Sequence, residues 1–305
     1  MFMQNLLLLV NYGGPTLGRE KEYLKRLFSD EVLFPFPKPL RVFLGNLIAT
    51  IRWRETREIL TSIGGKSPLL EQTLWQAKAL AKLLKGWNVK VAMRYSHPLL
   101  EETLKNLKEV YRLVIFPLFP HYSFATYLTV EKVVKRLYPN AVFTQPFYNC
   151  EGFIKGWILQ IEETLKEKKL SSPYLLFSAH SLPLYLVKKY RDPYPSQVEE
   201  SAKLIAQSLS LSFKVSYQSG VGLLKWLSPS TEEAIKELAS KGVRELVVVP
   251  ISFTAENSET LQEIDQNYQE LAKSLGIKHF VRVKIPYDHP LWIECFKENF
   301  LKALN

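Results

Sequence analysis

A chain of 305 residues, 47% of them apolar and 23% charged, exceeds the usual single-domain size and has apolar material for two cores, which excludes a disordered protein. Forty basic residues against thirty acidic ones leave a net charge of +10, a balance that attracts nucleic acid, anionic lipid or an acidic small molecule. The basic residues are scattered and mixed with acids in segments such as 101–112 and 162–169, so they read as a solvated surface. No nucleic-acid-binding module accompanies them. Cys150 and Cys295 lie far apart without metal-ligand spacing. They point to a reducing compartment, the cytoplasm by default, and argue against a disulfide framework or an iron–sulfur cluster.

The first predicted strand is 6–10, with no basic n-region or cleavage site to make it a signal peptide. It runs into Asn11-Tyr12-Gly13-Gly14-Pro15, a glycine-rich βα turn that is neither a dinucleotide fingerprint nor a phosphate loop. Tyr12 is the side chain with chemistry to offer there, packing being the plainer alternative. Residues 33–57 combine a proline-rich start with an apolar run that is too short to span a bilayer and ends in Arg52-Trp53-Arg54. This is either a lip that faces a greasy ligand or a membrane surface, or an ordinary buried helix. Ser67, after Ile63-Gly64-Gly65-Lys66, is placed to cap a helix over 69–85. Strands at 89–93 and 113–116 then end in Arg94-Tyr95-Ser96-His97-Pro98 and in Pro117-Leu118-Phe119-Pro120-His121-Tyr122-Ser123. Polar and aromatic clusters at the carboxyl ends of strands are where open α/β sheets collect their site residues.

The second half repeats this grammar. Segment 175–180 parallels 7–12, 213–219 parallels 89–95, and 246–253 parallels 113–119. Helical patterns at 69–85, 99–109, 127–137, 196–209 and 230–241 supply the crossovers that parallel strands require. The reading is α/β, with two similar domains at 1–147 and 148–305 and a last helix at about 289–304 packing back on the first domain. His180 falls at the end of the strand in Tyr174-Leu175-Leu176-Phe177-Ser178-Ala179-His180-Ser181-Leu182-Pro183, facing a cleft or else held as a structural histidine. The densest acid cluster, Glu256 to Asp265, follows the last of the three strands. A helix starting near Ser258 puts Glu259 and Glu263 on one face, with Glu259 in the first turn, unless the acids are simply a solvated face.

Taken together these motifs resemble the ferrochelatase family, whose members insert ferrous iron into a porphyrin. The resemblance spans nearly the whole chain. It rests on Asn11 to Pro15, Ile63 to Pro68, Arg94 to Pro98, Phe177 to Pro183, Asp192-Pro193-Tyr194-Pro195, Tyr217-Gln218-Ser219 with Trp226-Leu227-Ser228-Pro229, and Phe253 to Asp265, in the family's order. It implies two Rossmann-like (flavodoxin-like) domains, each a parallel sheet flanked by helices, with the porphyrin cleft between them. It implies His180 and Glu259 as catalytic residues and metal ligands, and Glu263 as a relay on the same helix. It also implies Tyr12, Arg52, Ser67, Arg94, Tyr95 and Trp226 as porphyrin-binding residues.

The expected activity is that of a lyase-class chelatase making protohaem from protoporphyrin IX, with Fe²⁺ as substrate and no resident cofactor. Peripheral contact with the inner membrane face and no nucleic acid partner are expected alongside. The apolar lip, the Ala179-His180-Ser181-Leu182-Pro183 motif and the Glu259 to Asp265 run favour protoporphyrin; Tyr12 favours coproporphyrin. A non-catalytic tetrapyrrole or metal carrier is the alternative from another class. The chain departs from many relatives at Asn257 and Asn267, where a histidine or a further acid is common, and it has no cysteine-bearing tail for an iron–sulfur cluster.

Overall fold

The computed structural model describes residues 4–108, 110–220, 222 and 224–305. Its first sheet consists of β1 (Gln4–Asn11), β2 (Trp87–Met93), β3 (Val110–Pro117) and β4 (Val142–Phe143), in the order β2-β1-β3-β4 with every pair parallel. Leu6, Leu7, Leu8, Leu9 and Val10 have no exposed surface. Burial on both faces is the condition under which a strand reads as an unbroken apolar run. The second sheet repeats the arrangement with β5 (Tyr174–His180), β6 (Phe213–Gln218), β7 (Glu245–Val249) and β8 (His279–Arg282), in the order β6-β5-β7-β8, again all parallel. The repeated α/β architecture is therefore present, with the same strand order in both halves. The edge strands β4 and β8 have two and four residues, too few to leave a periodic trace in sequence.

The chain divides into two compact units. One takes in the chain up to Phe119, Ser123–Pro146 and Phe296–Asn305; the other is Pro120–Tyr122 with Phe147–Cys295. The final helix, Pro290–Leu304, is shared out between them. Trp292, in the second unit, fills the space over Gly156 and donates its indole N–H to the Phe153 carbonyl at 3.1 Å. In the first unit, Phe296 and Phe300 meet Phe116 and Trp87, with ring centroids 5.4 and 4.8 Å apart.

Crossover helices form at Leu69–Leu83, Leu100–Lys105, Thr129–Leu137, Tyr194–Leu209 and Thr231–Ser240. The segment after Ser258 is helical but wider than expected, a π-helix over Glu259–Tyr268 in which backbone bonds skip one residue more than in an α-helix. The segment 33–57 contributes most of the helix Lys38–Ser62, which buries Gly45, Ala49 and Leu60. Phe43, Leu47 and Ile51 stay 63%, 45% and 68% exposed, so this is not a plain core helix. No helix among the described residues is long and apolar enough to cross a membrane.

The cysteine expectation fails. Cys150 and Cys295 are joined as a disulfide, with Cα atoms 6.5 Å apart across 145 residues of sequence. Gly152 presents no side chain to the Leu291 carbonyl and Cys295, so the helix Glu151–Lys168 closes on the last helix and brings the sulfurs together. Paired in this way, the two cysteines no longer point to a reducing compartment.

Candidate active site

In the second unit, three strand ends and the π-helix converge on one group of side chains. His180 is the last residue of β5, and its backbone N–H donates to Ser252 Oγ just past β7. Its ring Nδ1 lies 2.8 Å from Glu259 Oε2 at the start of the π-helix. With a carboxylate accepting at Nδ1, the neutral ring carries its proton there and keeps Nε2 as its basic position. The two side chains remain 41% and 30% exposed, so the pair is within reach of a ligand.

Ser219, the residue after β6, extends this pair into a chain. Its hydroxyl lies 3.1 Å from Glu259 Oε2 and 2.9 and 2.8 Å from the two oxygens of Glu263. The residue sits in the left-handed region at φ 65°, which a non-glycine side chain adopts at a cost and which recurs at functional sites. Gln218 reaches toward Glu259 from β6, its own amide oxygen held at 2.7 Å by the Ser178 hydroxyl. At the foot of the π-helix, Asn257 Oδ1 accepts from the N–H groups of Glu259 and Thr260 at 2.9 and 3.3 Å, which caps two otherwise unpaired donors.

The electrostatics follow from this crowding. Burial works against a charged His180, yet the charge and hydrogen bond of Glu259, with the charge of Glu263 behind it, lift its pKa above 6.5. Burial likewise opposes ionisation of Glu259, and the cation and hydrogen bond of His180, with bonds from Ser219 and Gln218, bring it below the usual carboxylate value. Burial and the charge of Glu259 push Glu263 up to about 7, against the bond from Ser219 and the charge of His180. Two carboxylates on one helix face are thus driven apart, one ionised and one exchanging its proton near neutrality. No set of three or more His, Cys, Asp or Glu side chains among the described residues is placed to enclose a metal ion. His180 and Glu259 remain the pair that can hold one from one side.

The other predicted residues are placed as follows. Trp226 lies against Gly220, beside Ser219, and bridges to Pro183. In the first unit, Tyr12 follows β1 with its ring 4.7 Å from that of Tyr95, and Ser67 packs on Gly14 of the same turn. Arg52 is on the helix Lys38–Ser62, paired with Glu55 at 3.1 Å. Arg94 donates to Asp30 and to the Thr129 carbonyl, and borders a cavity of about 260 Å³ with Arg41 and Arg136. Tyr95 has no exposed surface and its hydroxyl is bonded to Asp30 at 3.1 Å, so its ring supports the strand end from within.

The ferrochelatase family model matches residues 5–304. The chain belongs to the ferrochelatase family. It is 39% identical over 308 residues to the ferrochelatase of Aquifex aeolicus, across 97% of this chain and 98% of that protein. It is 36% identical over 326 residues to that of Sulfurihydrogenibium, across 96% and 97%, and 37% identical over 319 residues to that of Synechocystis, across 98% and 82%. Two solved structures share its fold at low identity. CbiX, described as the terminal enzyme of sirohaem biosynthesis in denitrifying bacteria, superposes with a TM-score of 0.58 at 14% identity, covering 99% of this chain and 100% of its own. SirB from Bacillus subtilis, solved with Fe³⁺, does so with 0.55 at 11%, covering 99% and 96%. Membership in the ferrochelatase family makes metal insertion into a porphyrin the chemistry of this chain, and gives the cluster around His180 its context.

Sequence reasoning named His180, Glu259 and Glu263, and the fold brings all three together. It missed Ser219 as a partner of both acids, although Tyr217-Gln218-Ser219 was among the motifs; a serine at a strand end carries no mark of its backbone angle. It also missed Ser252 and Asn257 as supports. The Asn257 side chain is occupied in capping.

Proposed function

We propose that the protein inserts Fe²⁺ into protoporphyrin IX to give protohaem, as a lyase-class chelatase at the end of haem biosynthesis. The 2.8 Å contact between His180 Nδ1 and Glu259 is the observation that supports this reading most directly. A pyrrole N–H proton taken up at Nε2 makes the ring an imidazolium that Glu259 Oε2 stabilises from Nδ1; passing the Nδ1 proton to Glu259 leaves the opposite neutral tautomer, protonated at Nε2, and the ring accepts the second pyrrole proton after that Nε2 proton has left and Nδ1 is protonated again. From Glu259, the Ser219 hydroxyl and Glu263 lead onward, and a carboxyl near pH 7 both takes and gives up a proton at neutrality. Ferrous iron is a substrate here. A single imidazole and a carboxylate suit a borderline cation, and two donors leave its remaining positions to the pyrrole nitrogens.

The exposed apolar residues of Lys38–Ser62 fit a flat porphyrin face or a peripheral contact with a membrane surface, and Arg52 fits a propionate or a lipid phosphate. They favour protoporphyrin, the more apolar substrate; Tyr12 is the feature that favours coproporphyrin. Anaerobic rates with Fe²⁺ and each porphyrin, followed in the Soret and Q bands, test the proposal. Faster turnover with protoporphyrin is expected. A preference for coproporphyrin would reassign the substrate, and a spectral change that stops at one equivalent of protein would make the chain a carrier.

A further inference from the structure

The π-helix that carries Glu259 and Glu263 meets the apolar core of its unit through Ile264, which shares a buried cluster with Leu176 and Val248, and through the partly buried Tyr268. Of its ten residues, Thr260 and Ile264 are buried. A guanidinium holds its acidic residues in addition. Arg282, the last residue of β8 and 8% exposed in its side chain, donates from Nε and Nη2 to the two oxygens of Asp265 at 2.7 and 2.8 Å. Asp265 lies two residues beyond Glu263 on the helix. The remaining nitrogen, Nη1, reaches both oxygens of Glu256 at 2.8 and 2.9 Å, in the segment just before the helix.

Glu256 is itself tied on two more sides. It accepts from the Ile285 amide at 3.0 Å and from the Thr260 hydroxyl at 2.6 Å, and that hydroxyl also receives the Asn257 amide at 3.1 Å. The acids at 256 and 265 bracket the working pair at 259 and 263, and one planar cation holds both brackets in a fixed fork. Such an arrangement adds a directional hold on the helix to its apolar contact at Ile264.

We propose that Arg282 is a positioning residue for metal insertion: by clamping Asp265 and Glu256 it fixes the π-helix to β8, in the same sheet as β5, so that Glu259 stays within hydrogen-bonding distance of His180. The inference rests on the reading of His180 and Glu259 as the working pair. Arg282 touches neither porphyrin nor iron in this account; it acts through the helix, as groups that orient a catalytic residue do.

Asp265→Asn is the cleaner variant, because Asp265 is 38% exposed and the amide keeps its shape while halving the fork. Its kcat should fall by one to two orders of magnitude, on the order of what a small misplacement costs, while the porphyrin KM stays within about twofold. Arg282→Gln should fall at least as far, and Arg282→Lys should recover part of the loss without the fork. The ¹⁵N signals of the His180 ring, read without substrate, should move in Asp265→Asn as Glu259 loosens. Wild-type kcat and unshifted His180 signals in Asp265→Asn would overturn the proposal, and that variant decides the matter if Arg282→Gln does not fold. Should the wild-type protein insert no metal into either porphyrin, the functional reading fails while the ring signals still report on the clamp.

Discussion

His180 Nδ1 and Glu259 Oε2 stand 2.8 Å apart although 79 residues separate them in sequence. The contact raises the imidazole pKa and lowers that of the carboxylate, so each group keeps the other charged when the ring is protonated. Removing either should therefore remove the proton acceptor or its tuning. His180→Ala should cost about 10²- to 10⁴-fold in kcat, the usual range for a general base, with little change in melting temperature. Glu259→Gln should cost far more than Glu263→Gln, and its residual kcat/KM should rise with pH at lower values than in the wild type, because the ring has lost the anion that held its proton. Equal, small losses in the two glutamine variants would make the helix an ordinary solvated face.

Glu263 makes stability depend on pH in a predictable sense. Its folded pKa of about 7 exceeds the ordinary 4.5, so between these values the native state binds more protons than the unfolded chain. The stability it contributes is complete below about pH 4.5 and is lost as pH rises through 7. His180, also raised, acts in the same direction above its ordinary 6.5, whereas Glu259, lowered, contributes stability that is lost as pH falls through its folded value. Glu263→Gln should gain on the wild type between pH 5 and pH 8. Urea midpoints for the two proteins at both pH values measure this, and a constant difference would show that Glu263 does not titrate there.

The helix Lys38–Ser62 is predicted to serve ligand or surface contact with part of its apolar side. Replacing Phe43, Leu47 and Ile51 together by Ser should raise the porphyrin KM several-fold and weaken binding to anionic vesicles, with kcat at saturation unchanged. Their exposure means that folding should survive. Unaltered KM and vesicle binding in the folded variant would remove this helix from substrate and membrane contact alike.

The Cys150–Cys295 bond closes a long loop, and such bonds stabilise chiefly by restricting the unfolded chain. Cys150→Ser should lower the unfolding free energy by about 2–4 kcal/mol. Denaturation with and without reductant checks it: coincident curves for the wild-type protein would mean that the pair adds nothing.

Much of this protein was legible in its sequence. Strands β1, β3 and β5 announce themselves as apolar runs because both of their faces are covered. The polar residues that follow them, Tyr12 and His180, are placed by the rule that strands end where sheets open. Glu259 and Glu263 are paired by helical spacing, and the repeated order of strand motifs gave two similar halves. What stayed hidden depends on contacts between distant segments. Ser219 reaches Glu259 across 40 residues, Arg282 reaches Asp265 across 17 and Glu256 across 26, and Cys150 reaches Cys295 across 145. None of these alters a local hydrophobic period, so no window of sequence reports them. Tyr95 illustrates the converse: its neighbours in sequence mark a strand end, but Asp30, from another helix connection, turns the ring inward. Local pattern alone determines which residues stand at the mouth of the second sheet; only the assembled backbone decides which atoms they give to one another.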